Sequence, residues 1–173
     1  YGFSEGQVTE LLKLCEASSG SFIAAAHQPY RIIRHRNWLI IAPVAAPEQG
    51  YTVFENPGVY TGPWGTLQLQ ETEAPIAVGE SAQMAMLDLA SVSFPLLVRR
   101  WRNGDYFYPL GMRKKKKLAR FFIDLKLAAT EKERIWVVES AGRIVWVAGY
   151  RIDDRCKLTA TSSRCLKIEL RPQ

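Results

Sequence analysis

The stretch that most narrows the possible folds is residues 136–149, WVVESAGRIVWVAG. Two short runs rich in β-branched and aromatic residues flank Ala141-Gly142, the pattern of a tight hairpin. The second run, RIVWVAG, is apolar at consecutive positions, so both of its faces need cover. Such a strand belongs in the interior of a sheet rather than at its edge.

The rest of the chain supplies partners for that strand. QVTELLKLCEA (7–17) places Val8, Leu11, Leu12 and Cys15 at helical spacing, with Gly20 as a stop. SFIAAA, RIIRHR and LIIAPV predict three short strands, the last two joined by an Asn37-Trp38 turn. PEQG (47–50) is a loop. YTVFE and TLQLQET are further strands, and the Pro and Gly residues of NPGVYTGPWG between them argue against regular structure. PIAVGESA (75–82) is a linker, and FPLLVRRW is a strand running into a turn at Asn103-Gly104. In KKKKLARFFIDLK, Leu118, Phe121, Phe122 and Leu125 follow helical spacing. Thr130 with Glu133 fits a capping box, and TSSRCLKIELR closes the series as an alternating strand. The sum is an α+β chain: residues 1–76 as a helix with β-hairpins, and 77–173 as a compact mixed domain with one basic helix.

Of 173 residues, 47% are hydrophobic and five are Trp, enough for a real core. No apolar stretch approaches the roughly 18 residues of a membrane span, and the first residues do not read as a signal peptide. The opening just before a helix, without an initiator Met, is that of a fragment of a longer chain. Cys15, Cys156 and Cys165 are odd in number and widely spaced, which predicts reduced thiols and a cytoplasmic protein. With His27 and His35 they offer no zinc-like spacing.

The net charge of +6 is unevenly spread. Residues 1–94 carry 4 Lys/Arg against 9 Asp/Glu, whereas 95–126 carry 10 against 2, a local net of +8. A concentrated positive field is the footprint of a polyanion partner.

Catalytic signatures are missing from the sequence. There is no Walker-type loop, no dinucleotide fingerprint and no nucleophile elbow. One glycine in SSGS (18–21) does not build a phosphate cradle. Asp153-Asp154 and Glu71/Glu73 fit turn caps or solvated strand edges, with no histidine near in sequence to act as a partner.

The basic run therefore carries the functional argument. Helical phasing from Lys114 sets Arg113, Lys116, Lys117 and Arg120 on the face opposite the aromatic anchor. Four lysines at the positive end of a helix dipole oppose local stability, which points to an external demand for positive charge. A phosphate backbone meets that demand. Trp101, Tyr106, Phe107 and Tyr108 are candidates either for base stacking or for the core.

At this point the residues carry a resemblance. LLVRRWRNGDYFYPLGMRKKKKLARFFIDLKL, ERIWVV, RIVWVAGYRIDDRCKLT and the closing LKIEL resemble the C-terminal domain of bacterial tRNA(Ile)-lysidine synthetase over about residues 94–170. The helix and hairpin at 5–44 are similar, more weakly, to the preceding segment. Two positions depart: Arg113-Lys114 stand where the family often has a glycine-containing step, and Ala128 where it has a proline.

The resemblance implies a ligase that uses ATP to adenylate the wobble cytidine of a minor tRNA(Ile) and then attaches lysine. That chemistry, with ATP and Mg, belongs to an N-terminal PP-loop domain marked by S-G-G-x-D-S, a motif this sequence lacks. The implied role here is tRNA binding and positioning, with no catalytic residue and no cofactor. The residues implied for it are Arg99, Arg102, Lys115, Lys116, Lys117, Arg120 and Arg151. Gly104 and Asp105 are implied to shape the turn, Asp105 by pairing with a nearby arginine. The implied partners are tRNA(Ile) and the enzyme's own catalytic domain; whether the chain forms a homodimer is left open. The rival readings are a module that docks an acidic protein surface and a general RNA-binding domain.

Overall fold

The computed structural model describes residues 1–44, 50–75 and 81–172. The loop at 47–50 and the linker at 75–82 fall largely outside them. Contacts divide the chain into two compact units: Tyr1–Gln49 with Leu125–Arg134, and Gly50–Asp124 with Ile135–Gln173. The grouping of 50–75 with the C-terminal half differs from the division drawn at 76/77, which followed charge and composition. Strand pairing, described below, is what groups those residues.

The first unit opens with α1 (Val8–Glu16), followed by an antiparallel sheet of β1 (Phe22–Ala24), β2 (Tyr30–His35) and β3 (Trp38–Pro43). Of the α1 apolar residues, Leu14 is buried, while Val8, Leu12 and Cys15 are exposed, so the helix does not bury the face that spacing picked out. Ile32 and Ile33 of β2 supply most of the remaining core. The β2–β3 turn consists of Arg36-Asn37, one residue earlier than expected, because Trp38 already pairs with His35. A short helix, Ala129–Glu133, completes the unit, and Glu133 forms an ion pair with Arg31. Its start is Ala128, whose N–H donates to Glu131 at 2.6 Å, rather than the expected Thr130 and Glu133.

The second unit contains two antiparallel sheets around one core. β4 (Tyr51–Phe54) is the edge of a five-stranded sheet. β5 (Gly58–Gly62), β6 (Gly65–Glu73) and β7 (Met84–Asp88) belong to a four-stranded one. β8 (Leu96–Arg100) pairs with β4, and a two-stranded ribbon joins β9 (Tyr106–Phe107) to β10 (Lys116–Lys117). α2 (Leu118–Asp124) follows directly. β11 (Trp136–Ser140), β12 (Arg143–Val147) and β13 (Arg151–Ile152) complete the five-stranded order β13-β12-β11-β8-β4. β14 (Arg164–Arg171) lies between β6 and β7.

The hairpin that opened the sequence argument forms as expected. Ala141 and Gly142 have φ of 47° and 73°, the left-handed pair that a two-residue turn of matching twist requires. Ile144, Val145, Trp146 and Val147 are all buried, as an interior strand needs. One core cluster draws on both sheets: Phe54, Val98, Trp136 and Trp146 from the first, and Leu67, Leu87, Leu166 and Ile168 from the second.

Two of the elements differ from expectation. The segment read as irregular because of its Pro and Gly contains β5, an edge strand in which Gly58 and Gly62 occupy the two ends and Pro63 lies in the turn to β6. At the start of β6, Gly65 has φ of 100°, and a Cβ there would collide with the Arg171 carbonyl. The second concerns the lysines. Lys116 and Lys117 pair with Phe107 and Tyr106 as a strand, so the helix starts at Leu118 and the run does not sit on its first turn. Leu125 falls beyond the helix and is exposed. No helix among the described residues is long and apolar enough to cross a membrane.

Candidate nucleic-acid interface

The basic segment is a clamped loop, held at one end by a buried ion cluster. Gly104, with φ of 98°, turns the chain. Asp105 closes that turn by accepting the Arg102 N–H at 2.7 Å. The same carboxylate takes two hydrogen bonds from the Arg99 guanidinium, at 2.8 and 3.0 Å. Arg99 also pairs with Glu139 and donates to the Arg100 carbonyl at 2.9 Å. Burial alone would lower the Arg99 pKa, but the hydrogen bonds that its guanidinium donates to Asp105 and Glu139 outweigh it and raise it. The Asp105 carbonyl accepts the Leu118 N–H at 2.8 Å, which fixes the start of α2.

An aromatic anchor lies beneath. Phe107 and Phe121 meet edge to face with centroids 5.1 Å apart, as do Trp101 and Phe122 at 5.0 Å. Phe107, Leu118 and Phe122 are fully buried. Burying a side chain of this size contributes about 1.5–3 kcal/mol, enough to hold a two-stranded ribbon that would not be stable alone.

Two neighbouring acids hold the far end. Asp153 is fully buried; it accepts the Tyr108 N–H at 2.9 Å and two side-chain hydrogen bonds from Arg155, also at 2.9 Å. The hydrogen bond to Asp153 raises the Arg155 pKa, and the Arg155 guanidinium covers the Tyr108 ring at 4.2 Å. Asp154 accepts the Gly111 N–H at 3.0 Å and pairs with Lys157 at 2.9 Å. These contacts, the Gly111 amide first, pull its carboxyl below the ordinary aspartate range. The cap reading of Asp153 holds in part, since it also accepts the Arg155 N–H, but the carboxylate is not solvated.

Strand alternation sorts the lysines. Lys116 turns inward, half-buried, with its ammonium 5.9 Å from the Phe121 centroid and paired with Asp124 at 2.7 Å. That pairing lowers the Asp124 pKa, and Arg120 joins it at 3.1 Å. Lys117 is exposed. Lys115 lies 5.2 Å from the Tyr106 centroid, and Tyr106 is half exposed. Arg102, Lys114 and Lys117 make no ion pair among the described residues and face solvent. Arg151, also exposed, stands beside the loop because the Leu110 N–H donates to the Ile152 carbonyl at 3.1 Å.

The structure thus gathers Arg102, Lys115, Lys117 and Arg120 around one clamped loop. Arg99 is different: 7% exposed and fully paired, it would have to break its cluster to reach a ligand. Of the four aromatics considered for stacking, Phe107 is core, Trp101 packs on Phe122 and Tyr108 is covered by Arg155, which leaves Tyr106. Glu139, Asp124 and Arg155 were missed. Glu139 acts across strands and nothing local marks it, whereas Asp124 lies one helical turn after Arg120 and Arg155 two residues after Asp153, spacings the sequence did offer. No group of three His, Cys, Asp or Glu that could hold a metal ion occurs among the described residues.

Comparison with known proteins fits this arrangement. The family model of the TilS substrate C-terminal domain matches residues 96–170, and that of the TilS substrate binding domain matches residues 1–44. The chain belongs to the tRNA(Ile)-lysidine synthase family. It corresponds to the C-terminal, substrate-binding part of such synthases. The tRNA(Ile)-lysidine synthase of Parabacteroides distasonis is 31% identical over 172 residues, which are 97% of this chain and 38% of that protein. The one from Bacteroides thetaiotaomicron is 26% identical, over 95% of this chain and 36% of its own length. The chain therefore spans a little over a third of these relatives. A crystal structure of a TilS C-terminal domain superposes with a TM-score of 0.61 at 27% identity, covering 72% of this chain and 98% of that one.

Proposed function

We propose that this chain is the tRNA-binding and tRNA-positioning part of a tRNA(Ile)-lysidine synthase. In that reading the longer protein ligates lysine to the wobble cytidine of the minor tRNA(Ile), using ATP in a cytoplasmic N-terminal domain. The observation that carries it is the clamped loop. Arg102, Arg113, Lys114, Lys115, Lys117 and Arg120 are exposed on a segment anchored by buried aromatics and by Asp105, Asp153 and Asp154. Exposed cations on an anchored segment suit a phosphate backbone, and each neutralised phosphate releases counterions. Arg99, Asp105 and Glu139 serve in this reading as positioning residues.

The test is binding of a tRNA(Ile) transcript to the 173-residue chain across a salt series. Affinity should fall steeply with salt, and Lys117→Glu with Lys114→Glu should abolish it while the protein keeps its melting temperature. Salt-independent binding, or full binding by the charge-reversed variant, would overturn the reading. Equal affinity for unrelated tRNAs would favour a general RNA-binding domain instead.

A further inference from the structure

A second basic feature lies in the other unit, away in sequence from the lysine run. Residues 1–94 are acidic overall, yet 17–44 contain three arginines, two histidines and no Asp or Glu. Arg31 is spent on Glu133. The other two, Arg34 and Arg36, stand at the tip of the β2–β3 hairpin, next to Trp38. Trp38 is 72% exposed, the most exposed large apolar side chain among the described residues.

The tip is held rigidly, by a loop whose serines and glycine had no other role. The Gly20 N–H donates to the Arg34 carbonyl at 2.7 Å, and the Arg34 N–H to the Ser21 carbonyl at 2.9 Å. Ser19 Oγ accepts the Arg36 N–H at 3.2 Å, and Arg34 Nε donates to the Ala17 carbonyl at 3.2 Å. Arg36 itself has φ of 53°, at the first central position of a two-residue turn. Glycine is the default residue there, and a side chain with a Cβ strains the backbone. A strained, exposed arginine with no ion pair among the described residues, one residue from an exposed tryptophan, is a local cost that stability does not explain.

We propose that this tip, residues 34–38, is a second RNA contact. Trp38 stacks on an unpaired base and Arg36 meets an adjacent phosphate. Single-stranded nucleic acid is gripped by this pairing of an aromatic face with flanking cations. The absence of any acid over 17–44 gives the surface the charge that a polyanion requires. The inference deepens the reading of the chain as a tRNA-binding part and rests on it.

The experiment measures binding of a tRNA(Ile) transcript to the intact chain and to three variants, at low and moderate salt, beside thermal melts. Trp38→Ala should weaken binding about tenfold, as loss of one stacked base does, while Trp38→Phe keeps most of the affinity. Arg36→Gly should lower the salt slope by about one and weaken binding, yet melt at a higher temperature because the turn relaxes. A purely structural arginine would give the stabilisation without the loss of binding. If the unaltered chain binds and both Trp38→Ala and Arg36→Gly bind as tightly with the same slope, the inference falls alone; the tip then faces something other than RNA. If the unaltered chain binds no tRNA at any salt, the functional reading falls and takes the inference with it.

Discussion

Arg99 holds Asp105 through two parallel hydrogen bonds, at 2.8 and 3.0 Å, with the arginine side chain 9% and the aspartate side chain 15% exposed. The pair joins strand β8 to the turn that launches the basic loop. Asp105→Ala would leave a buried guanidinium half-paired and free the Arg102 amide. Breaking such a pair costs about 3–5 kcal/mol. Chemical denaturation should show a loss in that range, and tRNA affinity should fall with it. Loss of less than about 1 kcal/mol would mean that Glu139 alone satisfies Arg99.

The neighbouring lysines separate two effects. Lys117→Ala should weaken tRNA binding uniformly across sequences and lower the salt slope by about one, with stability changed by less than about 0.5 kcal/mol. Lys116→Ala should act chiefly on the protein, because it leaves Asp124 with Arg120 alone. Paired salt titrations and melts of the two variants distinguish them. Equal binding losses would contradict the inward placement of Lys116.

Asp154 links stability to acid. Its folded pKa is lowered, first by the Gly111 amide and then by Lys157. A carboxylate with a depressed folded pKa contributes stability that is present above its unfolded value, about 3.9, and is lost as pH falls through the folded one. Urea unfolding followed from pH 6 down to about pH 3 should show this decline, and Asp154→Asn should flatten it. An unchanged acid limb in the variant would remove Asp154 as its source.

Burial raises the thiol pKa of both Cys156 and Cys165, whereas Cys15 is exposed. A thiol reagent at neutral pH should label one cysteine quickly in the folded protein and three in denaturant. Rapid labelling of Cys165 in native buffer would show that β14 opens readily.

Much of the fold was legible because it followed local periodicity. The run RIVWVAG announced a buried strand, Ala141-Gly142 its turn, and Phe121 with Phe122 the anchor of α2. What escaped depends on tertiary contact. Lys114–Lys117 could be extended as a helix on paper, since lysine is a good helix former, but the Leu118 amide is claimed by the Asp105 carbonyl and the ladder to Tyr106 and Phe107 wins. Met84–Asp88, a strand to which no element was assigned, is defined by its pairing with β14 rather than by its own alternation. At the candidate site, charge and resemblance found the exposed cations. They also drew in Arg99, because sequence shows the sign of a residue and not the acids that will surround it.

The position of β14 has a consequence for synthesis. It pairs with β6 and β7 on its two sides, and the Arg164–Glu71 contact closes a separation of 93 residues. Until 164–171 leave the ribosome, β6 is paired on one side only, with β5, and β7 has no partner strand, so two strand edges stand open. The unit's assembly therefore waits on a late, long-range closure, the kind of topology that folds slowly and is exposed to misassociation while it waits.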